Sequence, residues 1–267
     1  MQSNNSENKK IINADFHCHT FKSFDGYTTP NEILKACILK KINCVAITEH
    51  DLVNKLNKFK FQQFGIELIE GCEYTTNKGA HIIGLFVTTP IHGGSYQEVI
   101  EHIQNQNGLV LIPHPFKKKS GICSIYKDPS FILENSNMIE LYNGGYSNTK
   151  EEMRKILEYK EKYDLKLLAN SDSHKINQFG YYINQFIVKR NTDLKSNLKS
   201  IQPELFFDSN YKSPPRKIYK FQQNKSYQKY ILRIPFIIKR YIKLITYLLS
   251  FKRIATPSYS HLSKKWK

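Results

Sequence analysis

The feature that most constrains this chain is a repeated juxtaposition. Short apolar runs end, one after another, in His, Asp or Glu. Residues 11–17 close on Asp15-Phe16-His17-Cys18-His19, and residues 43–48 close on Glu49-His50-Asp51. Residues 66–71 lead to Glu73, 109–112 to Pro113-His114-Pro115, and 166–169 to Ser171-Asp172-Ser173-His174. His81 opens the apolar run 81–87 instead of closing it. Runs of this length read as strands, and 138–142 and 182–188 add two more. Between them, 30–40, 95–107, 129–135 and 149–163 have helical character, and 52–64 reads as a further helical stretch. Thr29-Pro30-Asn31-Glu32 supplies an N-cap, a Pro at the first helical position and a Glu at the third. Strands alternating with helices give an α/β fold with mostly parallel strands. In a barrel of that kind the active site lies at the carboxyl ends of the strands. Polar clusters that all fall there converge on one site.

The chemistry of the clusters is that of a metal site. On an extended chain alternate residues share a face, so Asp15, His17 and His19 are expected on one side, with Phe16 and Cys18 packed on the other. Two imidazoles so close on one face, beside a carboxylate, suit a metal. Pro113 and Pro115 stiffen the backbone around His114. Glu140 and Asn143, at the end of another strand, either orient ligands or contact substrate. The five cysteines lack C-x-x-C spacing and sit mostly in apolar runs, so they read as reduced, buried thiols of a cytoplasmic protein. No Ser or Cys nucleophile with a paired base is apparent, so no covalent intermediate is expected. Residues 1–10 are polar, lack an apolar signal core and read as a frayed terminus.

These motifs together resemble the PHP (polymerase and histidinol phosphatase) domain, and in particular its small stand-alone phosphoesterases. The carrying residues are Asp15 to Thr20, Ser23-Phe24-Asp25-Gly26, Thr48-Glu49-His50-Asp51, Gly71-Cys72-Glu73, His81-Ile82-Ile83-Gly84, His114-Pro115 and Ser171-Asp172-Ser173-His174. The resemblance runs from about residue 11 to about 188. It implies a distorted (β/α)7 TIM-like barrel holding two to three divalent ions. By that resemblance His17, His19, Glu73 and Asp172 bind the first ion. Glu73 bridges to a second, completed by His81 and His114, and Asp25, His50 and His174 bind a third. Glu73, Asp172 and His174 are then the catalytic residues. Glu49 stands where many relatives carry Asp and is read as supporting the ligands. Many relatives carry Arg soon after the His-Pro element, where Lys117-Lys118-Lys119 follows Phe116 here; Lys117 and Asn143 are the expected substrate contacts.

The implied ligand set of imidazoles and carboxylates, without thiolate, suits Zn, Mn or Fe. A bridged pair of such ions favours attack of water on a phosphate ester. The leading expectation is therefore hydrolysis of a small phosphorylated metabolite or nucleotide. Histidinol-phosphate or phosphotyrosine hydrolysis, and a nucleic-acid-associated nuclease or binding module, are the alternatives.

Charge divides the chain. Of the 40 Lys and Arg, 15 lie at 212–267, where there is no Asp or Glu, so residues 1–211 are nearly neutral. The nucleic-acid reading therefore cannot rest on the barrel's net charge. The expected organisation is a barrel over 11–211, a break at Ser213-Pro214-Pro215 and a basic C-terminal extension over 212–267. Within it, Lys239, Lys243, Thr246 and Ser250 share one helical face, while Ile237, Ile238, Tyr241, Leu244, Ile245 and Leu248 fall mostly opposite. Such a helix lies in the interface of an anionic membrane, docks on the barrel or binds nucleic acid; interfacial placement is the expectation, at the inner membrane surface.

Overall fold

The structure, a computed structural model, describes residues 8–210 and 257–262. The described strands form one curled ten-stranded sheet, in the order β10-β9-β8-β1-β2-β3-β4-β5-β6-β7. The strands are β1 (Lys9–Cys18), β2 (Cys44–His50), β3 (Glu67–Thr75), β4 (His81–Leu85), β5 (Leu109–Ile112), β6 (Met138–Asn143), β7 (Lys166–Asn170), β8 (Tyr182–Lys189), β9 (Glu204–Asp208) and β10 (Tyr259–His261). The helices are α1 (Pro30–Lys40), α2 (Lys58–Gln62), α3 (Tyr96–Asn105), α4 (Ile122–Ile125), α5 (Ser130–Glu134), α6 (Lys150–Tyr163) and α7 (Leu194–Ser200).

The curl follows from which residues each strand buries. Ala14 and Phe16 of β1, Ala46 of β2, Ile69 of β3, Ile83 of β4, Leu111 of β5, Met138 of β6, Leu168 of β7 and Phe186 of β8 pack into a single cluster. One cluster fed by eight strands is the interior of a barrel-like sheet. A second cluster lies between the sheet and α3, α5 and α6, and a third lies under α1 and α2. Burial of these apolar faces, at about 25 cal/mol per Å², is the main driving force for the fold. Local signals agree with it. Thr29 and Glu32 form a capping box at the start of α1, and Ser95/Glu98 and Thr149/Glu152 do so for α3 and α6. Each such cap is worth about 1 kcal/mol.

The expected alternation holds in outline and departs in four places. First, β1–β3 and β5–β7 pair in parallel, but β4 is antiparallel to both β3 and β5. The turn at residues 76–80 is too short for the crossover that a parallel neighbour needs. Second, the sheet continues beyond β1 through antiparallel β8, β9 and β10. Third, residues 52–64 yield only the five-residue α2. Fourth, Lys9 and Lys10 are not frayed: they pair with Lys189 and Val188.

The β7–β1 seam is closed largely by side chains. Asn184 Oδ1 accepts the Ala169 N–H at 2.9 Å, and its amide donates to Ala169 O and Ala14 O at 2.9 and 3.2 Å. Asn170 Oδ1 accepts the Phe16 N–H at 3.0 Å, and the His19 N–H reaches Ser173 O at 2.9 Å.

Sequence beyond β9 returns to the sheet, because β10 pairs antiparallel with β9. Leu262 is buried in the outer cluster. The amphipathic helix expected at 234–251 lies outside the described residues. Among the described residues, no helix is long and apolar enough to cross a membrane.

Candidate metal centre

The parallel strands deliver their ligands by ending. His17 closes in from the end of β1, with His19 just beyond; His50 ends β2, and Glu73 lies near the end of β3. His81 is the first residue of β4, and it reaches the same end because β4 runs backwards, with Thr75 paired to His81. His114 follows β5, and Asp172 and His174 follow β7. His114 and Asp172 both have positive φ, 27° and 45°, a region that non-glycine residues rarely adopt. Backbone held in such a region is a mark of functional sites.

β1 does not alternate simply through the D-x-H-x-H motif. Its register against β2 shifts between Asp15 and Cys18. Ile12, Ala14 and Phe16 alternate regularly into the barrel interior, whereas Cys18, past the irregularity, lies under α1 on the other side. The expectation that Asp15 shares the metal-facing side with the two histidines fails for this reason: a bulge breaks period-2 alternation. Asp15 instead accepts the N–H groups of Ser171 and Gly180, each at 3.2 Å. Burial pushes its carboxyl up to about 6, against the pull of these bonds.

Glu73 is the hub. Its Oε2 lies 3.4 Å from His17 Nε2, 3.3 Å from His19 Nε2 and 3.1 Å from His50 Nδ1. Its Oε1 lies 2.7 Å from His81 Nδ1 and 3.1 Å from His114 Nε2. Asp172 Oδ1 faces His17 Nε2 and His19 Nε2 at 3.3 and 3.5 Å. Asp25 Oδ2 faces His174 Nε2 at 3.0 Å and His50 Nε2 at 3.5 Å. The structure thus brings Asp25, His17, His19, His50, Glu73, His81, His114, Asp172 and His174 into one cluster.

The cluster has the properties a cation requires. His17 Nε2 and His19 Nε2 are fully buried without a hydrogen-bond partner, a state that costs energy unless a cation accepts their lone pairs. Ligand atoms 2.0–2.1 Å from a tetrahedral ion lie about 3.3 Å apart. The contacts of His17 and His19 with Glu73 and Asp172 match that spacing. Four overlapping sets of three donors fall within 4.8 Å: His17/His19/Glu73, His17/His114/Asp172, His50/Glu73/His81 and His19/His50/His174.

Electrostatics point the same way. Burial opposes ionisation of Glu73, yet His81, His17 and His50 hold its carboxyl well below the usual range. Asp172 is likewise resisted by burial and driven well below by His17 and Lys117. Burial works against a charged His17, but Asp172, Glu140 and Glu73 raise it well above its ordinary value. The acids thus call for positive charge. Burial and then Lys117 push His114 down to about 4, which leaves it a neutral imidazole able to ligate.

Other residues aim the ligands. Glu140 Oε1 bonds His17 Nδ1 at 2.9 Å and accepts the Asn170 amide at 2.9 Å. Its Oε2 accepts the His114 N–H at 2.8 Å and the Asn143 amide at 2.7 Å. Asn143 Oδ1 in turn accepts the Gly145 N–H, so both polar ends of Asn143 are engaged within the rim. Glu49 organises the loop that carries Asp25. It accepts the Ser23 N–H at 3.0 Å and the Asn54 amide at 2.9 Å, and it also accepts the Thr20 hydroxyl. Ser23 Oγ then meets His19 Nδ1 at 3.1 Å. Such partners fix ring orientation and raise ligand basicity.

Lys117 is the half-buried lysine of its triplet, with Nζ 3.5 Å from Asp172 Oδ2; Lys118 and Lys119 are exposed. One further residue was not singled out by sequence reasoning. Phe24 is 75% exposed and stacks on His50 with ring centroids 4.9 Å apart. An exposed aromatic beside an expected ligand in the Ser23-Phe24-Asp25-Gly26 motif was the available signal.

A curled α/β sheet with a carboxylate-centred nest of histidines defines a metal-binding barrel. Residues 15–240 match the PHP domain, and the chain belongs to the PHP-domain family. It is 36% identical over 149 residues to the uncharacterized protein MJ1587 of Methanocaldococcus jannaschii, covering 49% of this chain and 82% of that protein. Its fold is similar to a two-domain protein of Bacteroides vulgatus containing a predicted PHP-like metal-dependent phosphoesterase. That match has TM-score 0.62 and 19% identity, over 75% of this chain and 66% of the other. The lesion-specific endonuclease PfuEndoQ of Pyrococcus furiosus also shares the fold, with TM-score 0.56 and 17% identity, over 70% of this chain and 55% of the endonuclease. The chain therefore spans just under two thirds of the first structure and about half of the second.

Proposed function

We propose that this protein is a metal-dependent hydrolase of phosphate esters, acting on a small phosphorylated metabolite or nucleotide. The observation that carries the proposal is Glu73, one buried carboxylate ringed by five imidazoles, with Asp172 and Lys117 at its side. His17, His19, Glu73 and Asp172 would hold one divalent ion, Glu73 with His81 and His114 a second, and Asp25, His50 and His174 a third. Zn, Mn and Fe suit this donor set. Bound ions of this kind lower the pKa of water and neutralise charge developing at phosphorus.

The chain's own residues do the rest. Glu73 spans two ligand groups with its two oxygens and so sets their separation. Lys117, held as a cation by Asp172 although burial opposes the charge, is placed to donate to a phosphoryl oxygen. The half-buried His174 places Nε2 against Asp25 and can hold a proton there. Asn143 we assign to positioning rather than to substrate contact, because both of its polar ends are engaged. The exposed ring of Phe24 offers an apolar surface to the part of the substrate beyond the phosphate. Cys18 is no candidate nucleophile: burial raises its thiol well above the ordinary value, and its Sγ donates to Ala46 O at 3.1 Å.

A second reading, a nuclease, is favoured by one observation: the 15 basic and no acidic residues at 212–267. A screen of phosphomonoesters, phosphodiesters and short DNA with purified protein and added Mn²⁺ or Zn²⁺ separates the two. Turnover of small esters alone supports the first reading. Turnover of DNA alone supports the second, and turnover of neither rejects both.

A further inference from the structure

The loop between β7 and β8 carries Asp172 and His174, so the centre depends on how that loop is held. Its beginning is tied down at Ser171, whose N–H donates to Asp15 Oδ1 at 3.2 Å. Its end is tied to the same carboxylate, since the Gly180 N–H donates to Asp15 Oδ2 at 3.2 Å. The Gly180 carbonyl then accepts a hydrogen bond from the Tyr259 hydroxyl at 2.9 Å. Tyr259 is the first residue of β10, far along the chain and beyond the residues 15–240 that match the family.

The strand bearing that hydroxyl is itself anchored. Tyr259 pairs with Asp208, the Ser209 N–H donates to Ser258 O at 2.7 Å, and the Ser258 N–H donates to Asp208 Oδ1 at 3.0 Å. Leu262 is buried in the outer cluster. There is little room for the loop end to drift. Gly180 has φ of 62°, and a Cβ there would lie 2.6 Å from Ile42 Cδ1 and 3.3 Å from the Tyr259 oxygen. Asp172 already sits at positive φ and needs its flanks fixed to stay there.

We infer that Tyr259 is a positioning residue of the metal centre: through Gly180 and Asp15 its hydroxyl holds the loop that presents Asp172 and His174. The inference rests on the reading that these two residues ligate metal. Ligand placement matters at about the 0.5 Å level, and loss of a group hydrogen-bonded directly to a ligand costs metal affinity about tenfold to a hundredfold, so a tie one step further out is expected at the lower end of that range.

The test uses full-length protein stripped with chelator, comparing wild type with Tyr259→Phe and with Ser260→Ala on the same strand. Mn²⁺ affinity is measured by titration calorimetry, ligand geometry by the visible spectrum of the Co²⁺-loaded protein, and stability by melting of the stripped forms. The expected result is about tenfold weaker Mn²⁺ binding and shifted Co²⁺ bands in Tyr259→Phe only, with stripped forms that melt close together. Leu262→Ala, which loosens the strand's anchor with the hydroxyl intact, is expected to weaken Mn²⁺ binding in the same direction. Wild-type affinity and an unchanged Co²⁺ spectrum in Tyr259→Phe overturn the inference, whatever Leu262→Ala does and even if the stripped forms melt lower. A wild-type protein that binds no Mn²⁺ removes the metal reading itself.

Discussion

The two ends of the barrel are built on opposite principles. At the carboxyl end, ionisable groups that proteins normally leave in water are packed away: His17, His19, Glu73, His114, Glu140 and Asp172 are all buried. At the other end, apolar groups that proteins normally bury are left open. Ile11, Ile38 and Phe64 are exposed and line a shallow groove of about 490 Å³ with Lys41 and Asn43. Buried charge costs several kcal/mol per group unless it is paired, whereas an exposed Ile or Phe costs little. Apart from the buried Lys40–Asp208 pair, the chain concentrates the larger penalty at the carboxyl end. That asymmetry, more than any single residue, marks the carboxyl end as the place where stability is exchanged for function.

The sharpest way to break this comparison is to remove a central carboxylate. Asp172→Ala is expected to lower phosphate-ester turnover on the order of a thousandfold, because several kcal/mol of charge stabilisation go with the lost ion. Steady-state rates and metal analysis of the same sample check it, and a variant with full metal content and near wild-type rates contradicts the assignment. Lys117→Ala is expected to reduce kcat/KM about a hundredfold, as for loss of one preorganised donor, with metal content unchanged. Loss of metal together with rate would instead place Lys117 in support of Asp172.

Glu140→Gln sharpens the comparison at the next layer. The substitution keeps the shape but weakens the bonds to His17 and the His114 N–H. Metal affinity should fall about tenfold to a hundredfold by competition with a chelating dye. An affinity within twofold of wild type would mean that Glu140 orients nothing. At the opposite end, Phe64→Ser should change stability by no more than about 0.5 kcal/mol and leave turnover untouched. A large loss of either, read by denaturant unfolding and by rate, would show that the exposed groove matters to the folded barrel.

Much of this was legible in the sequence, for reasons that differ by region. The ligand clusters were readable because each is local: a histidine or acid within a few residues of an apolar run. Even His81 fitted, although the reason it reaches the site, the reversed direction of β4, appears only in the pairing. The start of α1 was readable because a capping box is spelled in four consecutive residues. What was hidden depends on contacts across the chain. The irregularity in β1 after Asp15, which parts it from the two histidines, is a property of the strand's register with β2. The role of Glu140 depends on His17, 123 residues away. β9 and β10 were missed because each is short. Their pairing joins Asp208 to Tyr259 across the basic segment, where local patterning gives no partner.

The central claim is that the nest around Glu73 holds metal, and metal analysis of the purified protein tests it most directly. Protein prepared without added chelator should carry two or three transition-metal ions per chain, as the sequence motifs imply, and Glu73→Gln should lose them. A wild-type protein with no bound metal, and with phosphate-ester turnover indifferent to chelators, would contradict the account.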